Sequence, residues 1–448
     1  MNALEVRAAL SLALVYVLRM MGLFMVMPVL AVAAMDYPDY SPLLVGLAVG
    51  GYGLTQAALQ IPMGMLSDRW GRKPVILLGL SVFALGSLIA ANADSLTVMI
   101  IGRVLQGAGA IAGAIMALAT DVSREAQRAK VMAIIGIAIG FSFYLAVLVG
   151  PVIANHWGLS GIFAVTGILA LCCMPLITWA VPGVSQRSSG DVLPQARHIR
   201  QLFVSPQLWR LNVSVMFLHM MITLLFVQLP VTLLHFDMQL DSHWKLYLPV
   251  LAISIVGLTI MMGAARGRTP KPLVMLAAAF MALAFAMLGL QHHSQWLAFT
   301  AIALFFTGFN YLEASFPALV SSIAPAGQKG SAMGIYASFQ FFGAFLGGAL
   351  SGVVTDHFSA QTAYLVGAGA AGIWLFLLTG LKEASRVKRV SLQMQVPGER
   401  HGSLSDALKT LAGVEETTIA TSEGMVYLKV TKDFDQHQAD ALIKSYET

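Results

Sequence analysis

Gly64-Met65-Leu66-Ser67-Asp68-Arg69-Trp70-Gly71-Arg72-Lys73 concentrates charge and glycine in a chain that otherwise runs for long stretches without a charge. On either side, residues 41–61 and 74–91 each come close to the roughly 20 apolar residues needed to cross a bilayer as helix. The decapeptide therefore reads as a tight turn between two membrane spans.

Working outward, 57% of the 448 residues are hydrophobic and only 11% charged, far from the roughly 25% charged of soluble domains. This is the composition of an all-α, many-span membrane protein, and the net charge of +5 has a topological reading before a nucleic-acid one. No nucleic-acid partner is expected. Loops on the side of the amino terminus hold Arg7, Arg69, Arg72, Lys73, Arg124, Arg128, Lys130, Arg187, Arg197, Arg200, Arg210, Arg266, Arg268, Lys271 and Lys329, whereas the opposite loops hold only Lys245. Those opposite turns carry Asp36, Asp39, Asp94, Asp237, Asp241 and Asp356. The positive-inside rule then places both termini in the cytoplasm, with an even number of crossings.

Twelve spans fit, near residues 8–34, 41–66, 73–92, 95–122, 128–153, 157–181, 206–235, 243–264, 271–290, 295–323, 329–355 and 360–381. The first is too long for a signal peptide and has Arg19 in its middle, so it reads as a retained helix. The polar stretch 182–205 reads as a cytoplasmic linker between an amino-terminal half, 1–181, and a carboxy-terminal half, 206–381. A repeat supports that division. Gln127-Arg128-Ala129-Lys130-Val131-Met132-Ala133-Ile134 aligns with Gln328-Lys329-Gly330-Ser331-Ala332-Met333-Gly334-Ile335, and Leu18-Arg19-Met20-Met21 with Leu218-His219-Met220-Met221. Parallel six-span repeats suit alternating access by two rocking halves. Gly109/Gly113, Gly136/Gly140, Gly343/Gly347 and Gly348/Gly352 have the spacing of close helix approach.

After Leu381 a basic connector, 382–389, leads into a mixed segment, 390–448, that reads as a separate cytoplasmic domain. Val390, Leu392, Met394 and Val396 alternate as a strand; 403–412 reads as a helix with Ser403 and Asp406 in capping-box positions. Residues 417–420 and 425–430 read as strands and 436–446 as a final helix. The order βαββα resembles a ferredoxin-like fold lacking its last strand. The loop after the first strand, 397–402, has no cysteine and a single histidine, His401, and Cys172 and Cys173 are adjacent in an apolar span; neither a metal site nor a cofactor is expected.

The decapeptide resembles the signature loop of the major facilitator superfamily, with Gly64, Asp68, Arg69, Gly71 and Arg72 filling its places, and the resemblance extends over about residues 8–381. It implies a transporter in which Asp68 meets the start of the eleventh span and Asp121 pairs with a loop arginine, latching the cytoplasmic side. In the repeat's second copy Gly267 stands where Asp68 does, so a symmetric second latch is not expected. Arg103-Val104-Leu105-Gln106-Gly107 resembles the family's second motif, whose arginine either assists proton transfer or hydrogen-bonds backbone carbonyls. Gly150-Pro151 resembles the third motif, associated with exporters, although Ala154-Asn155 replaces its usual glycine pair. The stretch 18–30, together with the tail, is similar to a subgroup of bacterial inner-membrane members that carry such a carboxy-terminal domain.

Ionisable residues inside spans are functional candidates that call for partners. Arg19 and His219 hold repeat-equivalent places on helices one and seven, which the resemblance implies line the central cavity, and together they are expected to make it electropositive. Glu313, beside Asn310 and Tyr311, is the best proton-carrier candidate. The expected function is a proton-coupled exporter of a small organic solute; uptake, or a membrane sensor whose spans detect a ligand and whose tail signals to a protein partner, are the alternatives, and the tail itself is a candidate to bind a ligand or protein partner. No nucleotide-binding loop is present, and nothing resembles a nucleophile–base pair, so an enzyme is not expected.

Overall fold

The computed structural model describes residue 1 and residues 3–123, 125–181, 202–266, 269–290, 294–325, 329–382, 388–394, 396–397, 400–420, 424–431 and 433–447. The linker as far as 201, Gly267-Arg268 and Gln328 lie outside the described residues.

The described chain is mainly helix: α1 (Ala3–Phe24), α2 (Met27–Ala33), α3 (Pro42–Trp70), α4 (Arg72–Ala91), α5 (Leu96–Ala108), α6 (Ala112–Asp121), α7 (Glu125–Pro175), α8 (Pro206–Leu234), α9 (Trp244–Ala264), α10 (Lys271–Leu290), α11 (Gln295–Ile323), α12 (Lys329–His357) and α13 (Ala360–Thr379). Eleven segments are long and apolar enough to cross a membrane. One of them, 51 residues long, contains Gly158 at φ 62° and ψ −166°. That non-helical residue splits it, and counting its two sides separately gives twelve.

Local chemistry accounts for the breaks. Ser41, Ser95, Ser294 and Ser359 each accept a bond from the amide three residues on, capping α3, α5, α11 and α13. Gly71, at φ 99°, lets α3 pass into α4 through a single residue. At the opposite end of α4, Asp39 accepts from the amides of Leu96 (2.7 Å) and Thr97 (3.1 Å), fastening the turn after the first span to the start of α5.

Two spans differ from their sequence reading. The first is broken between α1 and α2, where Pro28 removes an amide donor near the start of α2. The fourth, read as continuous over 95–122, is interrupted at residues 109–111 between α5 and α6. Gly109 lies so close to α4 that an added Cβ would meet Phe83 Cβ at 3.0 Å. The carbonyl-facing glycines of this stretch favour backbone approach over unbroken helix.

Buried side chains form one cluster built mainly from residues beyond 201 and two built mainly from residues before 182, with Val227, Phe341 and Ala344 crossing over. Repeat-related lysines close the last span of each group. Lys73 Nζ donates to the Val181 carbonyl (2.7 Å) and Lys271 Nζ to that of Thr379 (2.6 Å), placing cations at the carbonyl-rich ends.

The tail holds β1 (Lys388–Gln393), α14 (His401–Lys409), β2 (Val414–Ala420), β3 (Met425–Val430) and α15 (Gln436–Glu447). The strands form an antiparallel sheet ordered β1-β3-β2, with Leu392 opposite Val426 and Thr417 opposite Leu428. Leu392, Val426, Leu428 and Val430 pack on Leu404, Leu408, Ala439 and Ile443, the one-face alternation of a covered sheet. The capping-box reading of Ser403 is corrected: α14 starts at His401, and Ser403 Oγ donates back to the Arg400 carbonyl (2.9 Å) from inside the helix.

Candidate functional site

The charged turn forms one cluster across α3, α4 and α6. Arg72 pairs with Asp68 across the Gly71 break, donates from Nε to Asp121 Oδ2 at 3.1 Å, and from Nη1 to Ser67 Oγ at 2.7 Å. Ser67 Oγ in turn donates to the Gly64 carbonyl at 2.7 Å. Arg69 is exposed. Among the described residues no hydrogen bond or ion pair joins this cluster to α12, and an added Cβ at Gly64 would meet nothing within 4 Å. In this conformation the cluster is confined to the amino-terminal half.

At the other end the halves close on each other. An added Cβ at Gly50 would come 3.0 Å from the Ala344 carbonyl, and one at Gly352 would come 2.8 Å from that of Pro42; Gly46 and Gly348 face each other's backbone. Gly343 and Gly347 instead face the carbonyls of Met216 and Met220 on α8. Gly136 and Gly140, read as close-approach positions, have nothing within 4 Å, which corrects that reading. The seam is thus tight towards the Asp36/Asp356 end and loosens beyond Ile61, whose Cγ1 is 3.9 Å from a Cβ on Gly334, towards the charged turn.

Midway along the seam lies a polar group assembled from three spans. Asn310 Nδ2 on α11 donates to Tyr144 Oη on α7 (2.7 Å) and to Ser254 Oγ on α9 (3.0 Å), joining the two halves. Phe143, next to Tyr144, meets the rings of Phe24, Phe226, Phe306 and Phe309 at centroid distances of 5.2–6.3 Å. Tyr144 was missed in the sequence, since a lone tyrosine beside a phenylalanine in an apolar span carries no spacing signal.

One turn further along α11, Glu313 sits with His219 of α8 and Gln340 of α12. Gln340 Nε2 is 2.8 Å from His219 Nε2 and 3.4 Å from Glu313 Oε1, and His219 Nε2 is 3.7 Å from Glu313 Oε2. His219 Nδ1 lies 3.3 Å from the Val215 carbonyl. With the proton on Nδ1, Nε2 accepts from Gln340, so the amide bridges a neutral imidazole and a carboxylate. A second proton on Nε2 would face Glu313. The Glu313 side chain is 38% exposed, against 15% for His219. The three side chains, from three spans of the carboxy-terminal half, make one polar contact group within the membrane-spanning region. Gln340 lay outside the sequence reading.

Arg19 and His219 are not brought together. Arg19, 1% exposed, donates from Nη2 to the Gly109 carbonyl (3.1 Å) inside the amino-terminal half, so it does not present its charge to a shared cavity. Arg103, 0% exposed, donates to the carbonyls of Ala48 (2.9 Å) and Val49 (3.2 Å) and to Gln106 Oε1 (2.8 Å), and lies over the Tyr52 ring. Its partners include no carboxylate. Gly150, before Pro151, packs on the break in the first span, where an added Cβ would be 2.6 Å from the Met25 carbonyl.

Comparisons with known proteins agree with this architecture. The sequence profile described as Major Facilitator Superfamily matches residues 12–347 and 268–415. The inner membrane transport protein YajR of Escherichia coli (strain K12) is 39% identical over 446 residues, covering 97% of each chain. An uncharacterized transporter of Buchnera aphidicola subsp. Acyrthosiphon pisum is 32% identical over 351 residues, covering 78% of this chain and 90% of that one. A crystal structure of the D-xylose-proton symporter superposes with a TM-score of 0.69 at 16% identity, over 85% of this chain and 99% of that one, which speaks to the fold alone. With its many-span helical fold, its signature turn and these relatives, the chain belongs to the Major Facilitator Superfamily and is a multi-pass inner-membrane transporter.

Proposed function

We propose that the chain is a proton-coupled exporter of a small organic solute, working by alternating access of the halves 1–181 and 206–381 joined by the 182–205 linker. The observation that carries this reading is the Glu313–Gln340–His219 group, with distances of 3.4 and 2.8 Å, beside the inter-half bond from Asn310 to Tyr144. Protonation of Glu313 removes the charge that makes its exposure to the cavity favourable, and so biases which side of the seam closes. Release of the proton on the other face reverses the bias. The Asp68–Arg72–Asp121 cluster acts as the latch when the charged turn meets the start of α12.

Both termini lie in the cytoplasm, in keeping with the basic residues gathered at the end that carries the 64–73 turn. Gly150 and Pro151 in the fifth span favour export over uptake. Residues 390–448, after the basic connector 382–389, form a ferredoxin-like domain without its last strand: the sheet order β1-β3-β2 with both helices packed on one face supports this. This domain serves to bind a ligand or protein partner.

Flux driven by a pH gradient in proteoliposomes tests the coupling. Glu313→Gln is expected to abolish gradient-driven flux while retaining solute exchange, and undiminished proton dependence would remove Glu313 from the mechanism. Deleting 390–448 separates transporter from sensor, because a transporter keeps flux without its tail.

A further inference from the structure

Two guanidinium groups lie inside the amino-terminal half, and their surroundings differ. Every nitrogen of Arg103 is bonded, to two carbonyls and a glutamine oxygen. Arg19 is equally enclosed, at 1% exposure, yet only Nη2 has an acceptor. Its Nε and Nη1 are buried without a hydrogen-bond partner. The ion pairs found among the described residues, Asp68–Arg72, Asp121–Arg72, His219–Glu313 and Lys409–Asp406, do not include it.

A guanidinium stays charged at any physiological pH. Inside a bilayer such a charge calls for a counter-charge or a set of acceptors. The Phe83 ring, 5.4 Å from the guanidinium carbon, supplies a partial one.

A second group points to the same need. Gln56 on α3 is 1% exposed, and its Nε2 is also without an acceptor. Arg19 bonds Gly109 where the fourth span loses its helix, and Gln56 lies four residues from both Tyr52 and Gln60, through which α3 packs on Gly107 and Gly113, and so shares their helix face. Irregular backbone at membrane depth is tolerated where it lines a polar site. The open groups are two nitrogens of a cation, the Gln56 amide nitrogen and, on the same helix, the Gln60 oxygen; the cation calls for an acceptor, and a single guanidinium balances a single negative charge.

We propose that Arg19 binds a small monovalent anion, a halide or a carboxylate group, within the amino-terminal half, with Gln56 as its second donor. The site is separate from the Glu313 group on the other half, and does not depend on proton coupling there.

Thermal unfolding of the purified full-length protein tests this, in sodium bromide, sodium formate or sodium gluconate at equal ionic strength. Bromide or formate at ten times its dissociation constant should raise Tm over gluconate by about 2–4 °C, and saturably. Arg19→Gln should lose that response, Arg19→Lys should keep part of it, and His219→Asn should leave it unchanged. A response to bromide assigns an inorganic halide; a response to formate alone assigns a carboxylate. If Arg19→Gln does not fold, anomalous diffraction from wild-type crystals grown in bromide decides, with a peak beside Arg19 expected. No response to either anion, a response kept by Arg19→Gln or lost with His219→Asn, or a wild-type bromide crystal without a peak at Arg19 when neither anion is separately stabilising, would overturn the proposal.

Discussion

Glu313 and Arg103 show how a charge inside a span is handled in two ways within one membrane protein. Arg103 spends its donors on the carbonyls of Ala48 and Val49 and on Gln106, tying α5 to α3. Each hydrogen bond to a charged group contributes about 1.5–3 kcal/mol, so Arg103→Lys, which cannot reproduce the fork, is expected to lower the unfolding temperature in detergent by several degrees. It should do so without altering the pH dependence of transport; a changed pH profile with unchanged stability would contradict the structural assignment. Glu313 is placed the other way, partly exposed and shared with a neutral amide and an imidazole. Of these residues the sequence showed which were charged and at what depth. It did not show that Gln340 would bridge two of them, since three residues on separate helices share no spacing in the chain.

At the scale of elements, glycine decides how near α3 and α12 approach. Gly46, Gly50, Gly348 and Gly352 put backbone against backbone, the close packing that small residues allow between membrane helices. Gly348→Leu is expected to wedge this contact and raise labelling of Leu43→Cys by impermeant maleimide several-fold; unchanged labelling would mean that the contact is not a gate. The small-residue spacing was legible for this pair of helices and misleading for Gly136 and Gly140, because spacing marks a smooth helix face and not what lies opposite it. Asp39 offers a pH test of a different element. The amides of Leu96 and Thr97, and the Thr97 hydroxyl, hold its carboxyl below the usual carboxylate range. A carboxylate whose folded pKa is depressed stabilises at pH above its unfolded value, and the contribution is lost as pH falls through the folded one. Asp39→Asn should therefore lower Tm at neutral pH and flatten the acid limb of the Tm–pH curve below the usual carboxylate range; an unchanged acid limb would rule the cap out.

For the whole molecule, the seam among the described residues is tight at one end and looser beyond Ile61 at the other. The charged cluster at the looser end is paired within its own half. Asp68→Asn removes a carboxylate that the closed latch needs, so it should increase the population open at the charged-turn end. The twelve-span outline and the repeat were readable because lipid imposes long apolar runs and basic loops on the chain. The breaks at 25–26 and 109–111 were not, since an interrupted helix and a straight one bury the same apolar residues. Nor does hydropathy reveal which end of the seam is shut, because both arrangements use one sequence.

The most direct test is a pair of distances measured by pulsed electron spin resonance in liposomes, on a background without Cys172 and Cys173. One pair of labels, at Leu43→Cys and Val353→Cys, reports the tight end; the other, at Trp70→Cys and Gly330→Cys, reports the charged-turn end. Lowering the pH should shorten one distance while lengthening the other, and Glu313→Gln should hold both at their low-pH values. Distances that stay fixed with pH, or that lengthen together, would contradict alternating access governed by Glu313.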